Sequence, residues 1–219
     1  MTRTKVLGWA AISAAALLVL SPFTSDWIRS STSDLAQSTY EVVRASDSQL
    51  ILDAEDPELA KAAIYALANS LEEDEVGILF DVVSSASHVE VQKAALYAIG
   101  NVGGDLAREF LHETALTHDR IEIAKAAVYG LANLLDEGDV DVLLDIVGEA
   151  SDDEVKKAAL YQIGNVDGLE AVRALADVAQ GSGSNDLRKA AVYALGNSDS
   201  DEARAVLLSL VGAISDENN

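Results

Sequence analysis

A nine-residue pattern recurs five times in this chain at a constant spacing. Each copy reads Lys-Ala-Ala, one aliphatic residue, Tyr, three further residues and Asn. The copies begin at Lys61, Lys93, Lys125, Lys157 and Lys189, so each begins 32 positions after the one before, without insertion or deletion. A period of this length is typical of stacked supersecondary units. The spacing therefore predicts a solenoid over most of the chain.

A longer period, twice the first, lies over it. Residues 61–83 resemble residues 125–147 more closely than they resemble residues 93–115. Residues 92–104 likewise resemble residues 156–168. We infer that a pair of repeats was duplicated, and that the fifth copy is a further half of such a pair.

Composition and local pattern both predict helices. The chain has two prolines and 5% aromatic residues, and Ala and Leu are abundant. The nine-residue pattern lies on one helix of each unit, the signature helix, which begins after capping residues such as Asp56, or Ser151 and Asp152. We expect this helix to end near the Asn of the pattern, because Asn tolerates the left-handed backbone conformation that closes many helices.

A second helix follows in each unit. In the first unit Val76, Phe80 and Val83 lie three and four residues from Leu79, which makes this helix amphipathic, and its other face is rich in Asp and Glu. The equivalent leucines are Leu79, Leu111, Leu143, Leu175 and Leu207.

The succession D-x-x-V-x-x-A-A-x-x-L-G, a polar turn and a Leu-bearing helix resembles the HEAT family, and within it the short bacterial repeats of the phycobilisome-lyase type. The resemblance covers about residues 50–214. It implies an all-α fold: a right-handed α-solenoid of about five two-helix repeats, with the signature helices on the concave side. The chain then divides into an export segment (1–28), a polar linker with an N-terminal capping helix (29–49), the solenoid (50–214) and a polar tail (215–219).

One position departs from the family. An Arg often follows the first aliphatic residue of the signature helix in HEAT repeats and pairs with an Asp of the neighbouring repeat. The residues at that position here are Ala60, Gln92, Ala124, Lys156 and Arg188. Only Lys156 and Arg188 could form such a ladder, so we expect apolar packing to join the early repeats.

A helical wheel centred on Ala63 predicts the core face of the signature helices. The residues of this stripe are Leu59, Ala66, Leu67, Ser70, Val91, Ala98, Ile99, Ile123, Gly130, Leu131, Val155, Ile163, Leu187, Ala194 and Leu195, with Gln162 at its edge. On either side lie an aliphatic column (Ile64, Leu96, Val128, Leu160, Val192) and an alanine column (Ala62, Ala94, Ala126, Ala158, Ala190). We expect the large side chain of one repeat to pack against the small one of the next.

Opposite this stripe the wheel places an acid–Lys–Tyr triplet in every repeat. The triplets are Glu58–Lys61–Tyr65, Glu90–Lys93–Tyr97, Glu122–Lys125–Tyr129, Glu154–Lys157–Tyr161 and Asp186–Lys189–Tyr193. Two interpretations stay open. Common ancestry explains the rows if each acid pairs with its Lys and each Tyr lies on the Lys stem or bonds to the next repeat. Alternatively, the five tyrosines and five lysines form a protein-binding groove, since Tyr is a common interface anchor. The Asn that ends each pattern is interpreted as structural.

The first residues indicate export. Arg3 and Lys5 precede an uncharged run from Val6 to Leu20, which has the basic and apolar regions of a signal peptide. The orientation rule then places all that follows outside the cytoplasm. No small-residue cleavage site is evident, and the stretch from Val6 to Phe23 just reaches the length of a membrane-spanning helix. A cleaved peptide and an inner-membrane anchor therefore both stay open.

Charge and residue types exclude several functions. Beyond residue 29 the chain carries 12 basic against 36 acidic residues, and such a surface repels nucleic acids. Acidity suits solubility, a salty habitat or a partner with a basic face. With no cysteine, disulfides and thiolate sites are excluded. His112-Glu113 resembles the His-Glu pairs of the deoxyhypusine hydroxylase family, a HEAT-like di-iron enzyme family, but that family needs several pairs and this chain has one. No phosphate-binding loop or nucleophile elbow is present.

These observations predict an extracytoplasmic scaffold or adaptor, periplasmic or anchored in the inner membrane, that binds another protein along the groove. We expect no catalytic residues, metal, cofactor or nucleic-acid partner, and membrane contact only through an uncleaved N-terminal segment. Two alternatives remain. The branch resemblance implies a lyase-like enzyme subunit or chaperone of the phycobilin-lyase type, although such proteins are usually cytoplasmic. The other alternative is a purely structural spacer.

Overall fold

The computed structural model describes residues 56–136 and 139–217, with side chains up to Gly212. All regular structure in these ranges is helical. The signature helices are α1 (Pro57–Ala68), α3 (Val89–Val102), α5 (Ile121–Ala132), α7 (Asp153–Ile163) and α9 (Asn185–Asn197). The second helices are α2 (Gly77–Ser85), α4 (Asp105–Thr117), α6 (Val140–Glu149), α8 (Leu169–Gln180) and α10 (Asp201–Glu217). A 3-10 helix (Glu73–Glu75) precedes α2. The predicted all-α, two-helix repeat architecture is confirmed over the described residues.

The helices form two layers. Signature helices pack side by side, α1 on α3, α3 on α5, α5 on α7 and α7 on α9. Each second helix packs chiefly against the signature helix of the following unit, in the pairs α2–α3, α4–α5, α6–α7 and α8–α9. Successive second helices touch far less. The layer of signature helices is thus the more closely spaced, as expected of the concave side of a curved stack.

Glycines bring the signature helices into backbone contact. A β-carbon on Gly130 of α5 would lie 2.5 Å from the carbonyl oxygen of Leu96 on α3, and one on Gly164, directly after α7, would lie 2.6 Å from that of Ala194 on α9. No side chain other than hydrogen fits at such a distance. These close approaches explain why the signature helices form the tighter layer.

Burial along the two side columns confirms the large-against-small packing. Ile64, Leu96, Val128 and Leu160 are fully buried, and only the last member of the aliphatic column, Val192, is partly exposed. The alanine column shows the reverse. Its first member, Ala62, is exposed, whereas Ala94, Ala126, Ala158 and Ala190 are buried. The aliphatic side therefore faces the following repeat and the alanine side faces the preceding one.

The predicted core stripe is correct for the later repeats and wrong for the first. Leu59 is 66% exposed, and Ala66 and Ser70 are exposed as well, whereas Val91 and Ala98 at equivalent positions of α3 are buried. The difference follows from the packing order, because α2 covers this face of α3. No second helix precedes α1 within residues 56–136.

Helix starts agree with the sequence, and the signature helices end at or near the Asn as expected, but not in the expected backbone conformation. Asp56 accepts a hydrogen bond from the Glu58 amide at 2.9 Å, and Asp152 accepts one from the Glu154 amide at 2.7 Å. The expected left-handed Asn closure is wrong where the C-cap is Asn, since Asn69 and Asn133 have φ of −69° and −70°. Positive φ occurs instead at three glycines of the turns after α3 and α7: Gly103, Gly104 and Gly168. Gly104 and Gly168 occupy equivalent positions two repeats apart, so the longer period has a structural counterpart.

The Asp ladder that Lys156 and Arg188 could have formed is replaced by another arrangement. Arg188 donates through Nε to the Ala179 carbonyl at 3.0 Å, and Lys156 donates through Nζ to the Gly148 carbonyl at 3.4 Å. Gln92 makes the equivalent bond to the Val83 carbonyl at 2.9 Å. These side chains satisfy carbonyls that the preceding second helix leaves free at its end, so they need no Asp.

The export segment (1–28) and the linker with its capping helix (29–49) lie outside the described residues, and both stay predictions. Among the helices of the described ranges, none combines the length and the apolar character needed to cross a bilayer. α10 continues to Glu217, into the segment 215–219 that was expected to be a polar tail.

Candidate binding face

Four of the five triplet lysines form ion pairs with the acids three residues earlier; among the described residues, Lys125 with Glu122 is the exception. Nζ–carboxylate distances are 2.8 Å for Lys61–Glu58, 3.1 Å for Lys93–Glu90, 2.6 Å for Lys157–Glu154 and 3.7 Å for Lys189–Asp186. The helical spacing i, i+3 places the two side chains on one face. Four of the five pairs expected from the sequence are therefore present.

The lysines also interact with the acids of the following repeat. The hydrogen bond from Lys61 to Glu58 raises the pKa of Lys61, and the charge of Glu90 raises it further. The Lys157 bond lowers the pKa of Glu154, and Lys125 of the preceding repeat contributes. The pKa of Lys157 is raised by Glu154 and, across the next junction, by Asp186. Acids and lysines thus interact across three of the four junctions between repeats, and we call the five acid–Lys pairs of positions the charge row.

The five tyrosines lie beside the charge row but differ in burial. Tyr97, Tyr129 and Tyr161 are half-buried and pack against the core, whereas Tyr65 and Tyr193 are 39% and 66% exposed. Burial raises the pKa of Tyr97; Lys93 opposes this, and Tyr129 and Tyr65 add to the rise. Tyr97 thus interacts electrostatically with the tyrosine of the repeat on each side. We call the five recurring side chains the tyrosine row. The three central tyrosines therefore also contribute to packing. The sequence pattern did not reveal this role.

This face offers recognition groups. Phenol rings present flat apolar area and a hydroxyl that both donates and accepts, and the lysines supply ammonium donors. The charge row is balanced locally, in contrast to the strongly acidic chain as a whole. A partner can therefore approach the tyrosines without first overcoming a field of one sign.

Metal-binding groups do not converge in residues 56–136 and 139–217, where no three His, Asp or Glu side chains are placed to share an ion. His112 of α4 has a buried Nε2 without a hydrogen-bond partner, and its neighbour Glu113 is exposed. A separate pocket of 260 Å³ lies among the turns before α5 and α7, where His118, Asp119 and Asp152 are among the lining residues. No tyrosine of the row lines it.

One ion pair between repeats was not predicted from the sequence pattern. Arg108 of α4 donates to both carboxylate oxygens of Asp139, at 2.9 and 3.3 Å, and to the Leu134 carbonyl at 3.4 Å. The hydrogen bond from Arg108 lowers the pKa of Asp139, and the Asp136 amide adds to the effect. The residues equivalent to Arg108 in the other repeats are Val76, Val140, Val172 and Arg204. Because three of these four equivalent residues are Val, the repeat pattern gave no indication of an ion pair at this position.

A family model described as HEAT repeats matches the sequence three times, over residues 48–132, 76–164 and 140–218. These matches extend over most of the chain. Among curated proteins, none matches the sequence.

Two solved structures are similar to this chain. One is a chain in the complex of CpcE and CpcF of phycocyanin lyase from Nostoc sp. PCC7120, with 19% identity over 68% of this chain and 98% of that one and a TM-score of 0.49. The other is human deoxyhypusine hydroxylase in complex with glycerol, with 16% identity over 80% of this chain and 92% of that one and a TM-score of 0.31.

Proposed function

The chain belongs to the HEAT-repeat family, and from that premise we propose that it is a protein-binding scaffold or adaptor rather than an enzyme. Its binding surface is the tyrosine row together with the charge row. Repeats of this kind offer an extended surface because each unit adds the same side chains beside those of its neighbour. A partner segment laid along the stack then meets several tyrosines at once.

The observation that carries the proposal is the recurrence of an outward Tyr in all five repeats. Core packing partly explains why the three central repeats have Tyr at this position. The end repeats also have Tyr there, although Tyr65 and Tyr193 are more exposed. Five spaced aromatic rings supply contact area at low entropic cost, which is characteristic of protein interfaces. The chemistry available on this face is phenol, paired ammonium and carboxylate, which suits recognition better than catalysis.

We further propose that the solenoid acts outside the cytoplasm, either free in the periplasm or held at the inner membrane by an uncleaved N-terminal segment. The support is the sequence of residues 1–28. The partner is then itself an exported protein or the outer part of a membrane protein.

A pull-down comparison tests the binding surface. In one variant Tyr97, Tyr129 and Tyr161 become Ala; in a second, only the exposed Tyr65 and Tyr193 do. The matched control replaces three exposed acids of the second helices, Asp81, Glu113 and Asp145, by Ala. We expect both tyrosine variants to recover much less of a partner than wild type, and the control to recover as much.

The second variant guards against loss of folding, because Tyr65 and Tyr193 are more exposed than the three central tyrosines and thermal unfolding should be closer to wild type. Equal recovery of every partner by wild type and by both tyrosine variants contradicts the proposal. Co-purification of a coloured ligand with the wild-type chain would instead favour the lyase-type alternative.

Location has its own test. A C-terminal reporter that is active only in the cytoplasm should give no signal when fused to the full chain. Removal of residues 1–28 should restore the signal. A full-length fusion that is active in the cytoplasm contradicts the proposed export, without affecting the proposed binding surface.

A further inference from the structure

The C-terminal end of the stack exposes an apolar surface, the tail surface. Leu208 and Val211 of α10 are 66% and 63% exposed. A groove of 570 Å³ lies between α8, α9 and α10, and Val192, Tyr193 and Leu207 are among its lining residues. Elsewhere in the stack such a surface is covered, because each second helix from α2 to α8 packs against the signature helix that follows it. In the described part of the chain, no signature helix follows α10.

The N-terminal end of the described stack exposes the opposite surface, the head surface. It consists of Leu59 and three alanines of α1: Ala62, Ala63 and Ala66. Their equivalents in the next repeat, Val91, Ala94, Ala95 and Ala98, are all buried. α3, which carries these residues, packs against both α1 and α2, the two helices that precede it in the stack. The head surface is thus the surface that interior repeats bury against the repeat before them.

The two ends also match in charge. At three of the four interior junctions a Lys interacts electrostatically with the acid of the next repeat: Lys61 with Glu90, Lys125 with Glu154, and Lys157 with Asp186. Two members of the charge row remain at the ends. Lys189 is 68% exposed at the tail, and the Glu58 side chain is 79% exposed at the head. Brought together, they would complete one more step of the same alternation.

We propose that the tail surface of one copy of this chain binds the head surface of a second copy, so that α1 of the second copy stacks on α9 and α10 of the first as one repeat stacks on the next. Three features of the interior junctions then recur across the contact: Val192 meets Ala62, α10 covers the stripe that begins at Leu59, and Lys189 approaches Glu58. A second copy is the occupant that reproduces all three at once.

A head-to-tail contact is heterologous, so the same contact can add a third copy and further ones. The net charge of −22 per chain opposes this association at low ionic strength, and salt screens the repulsion. The assembly should therefore lengthen with protein concentration and with salt. The tyrosine row and the charge row would run on from one copy to the next.

Engineered cysteines test the contact on a clean background, because the chain has none of its own. The full chain carrying Glu58→Cys and Lys189→Cys is treated with a short bismaleimide at raised salt. We expect a ladder of covalent dimers, trimers and longer species on a denaturing gel. The two single variants should each remain monomeric, and their mixture should give dimers only. Adding Val211→Asp to the double variant should remove most of the cross-linked product.

Two controls accompany the test. Lys125→Cys with Glu154→Cys reproduces the junction inside one chain and should cross-link intramolecularly. Glu113→Cys with Asp145→Cys, on the exposed side of second helices, measures random collision and should give no ladder. The proposal is overturned if the Glu58→Cys, Lys189→Cys chain gives no intermolecular product while the internal control reacts. That is the result expected if residues before Asp56 cover α1 in the same chain. Dimers from either single variant alone would overturn it too, since they would show a head-to-head or tail-to-tail contact.

Discussion

The helix that carries Gly100 touches the helix that carries Gly130 backbone to backbone. A β-carbon built on Gly100 would overlap the carbonyl group of Gly130, so the hydrogen of a glycine is the side chain that fits. Gly100 directly precedes the Asn that ends its copy of the pattern, at a position where other repeats have Ala or Gly. This contact sets the spacing between the second and third repeats.

Gly100→Ala should therefore destabilise the stack. The neighbour is backbone, which moves only if α3 and α5 separate, so we expect a loss of about 1–3 kcal/mol in the free energy of unfolding. The matched control is Gly148→Ala in α6, where nothing lies within 4 Å of the added carbon. There the better helix propensity of Ala should raise stability by about 0.5–1 kcal/mol. Denaturant titration measures both, and equal effects would show that the helices are not in backbone contact.

The aliphatic column gives a matched pair of truncations. Val128 is fully buried, whereas Val192 at the end of the stack is partly exposed. Val128→Ala should cost about 2 kcal/mol or more, from lost burial and a residual cavity. Val192→Ala should cost well under half of that in the monomer at low concentration. Similar losses at the two positions would contradict the assignment of this column to the forward side of each repeat.

The alanine column gives a second matched pair, in which the exposed member lies at the N-terminal end of the described stack. Ala158 is buried at an interior junction and Ala62 is exposed. Ala158→Leu should lower stability by about 1–3 kcal/mol because three carbons enter a filled space. Ala62→Leu should leave the unfolding midpoint of the monomer nearly unchanged. Thermal unfolding of both variants checks this, and tolerance of Leu at position 158 would refute the large-against-small packing.

The Arg108–Asp139 pair predicts a dependence on acid pH. The folded-state pKa of Asp139 is below the usual 3.8, so its ionised form stabilises the fold. That contribution is complete above the unfolded-state pKa and is lost as pH falls through the lowered one. With side chains 35% and 29% exposed, solvent screening limits it to about 1 kcal/mol. Asp139→Asn should thus weaken the fold at pH 7, and the difference from wild type should shrink below about pH 4. A constant difference from pH 7 to pH 3 would exclude this ion pair as the cause.

Periodicity was sufficient to predict the architecture. A constant spacing places equivalent residues in equivalent surroundings, so burial of Leu96, Val128 and Leu160 follows from one helical wheel. It fails where a repeat has no equivalent neighbour. Leu59 belongs to the core stripe by sequence and is exposed by position, because it lies at an end of the described stack.

Interactions that do not recur between repeats could not be predicted. The contact of Arg108 with Asp139 depends on how the turn before α6 places the carboxylate. The sequence identified the triplets and their direction, yet it did not separate the half-buried Tyr97, Tyr129 and Tyr161 from the exposed Tyr65 and Tyr193. That difference arises from packing between neighbouring repeats, which a single helix does not encode.

Site-specific photo-cross-linking in living cells tests the proposed binding surface most directly. A benzophenone amino acid replaces Tyr129 or Tyr193 on the tyrosine row, and Asp141 or Asp145 on the exposed side of α6. We expect both tyrosine positions to give an adduct with the same partner protein and neither aspartate position to do so. Adducts with that partner from Asp141 and Asp145, with none from the tyrosine row, would contradict it.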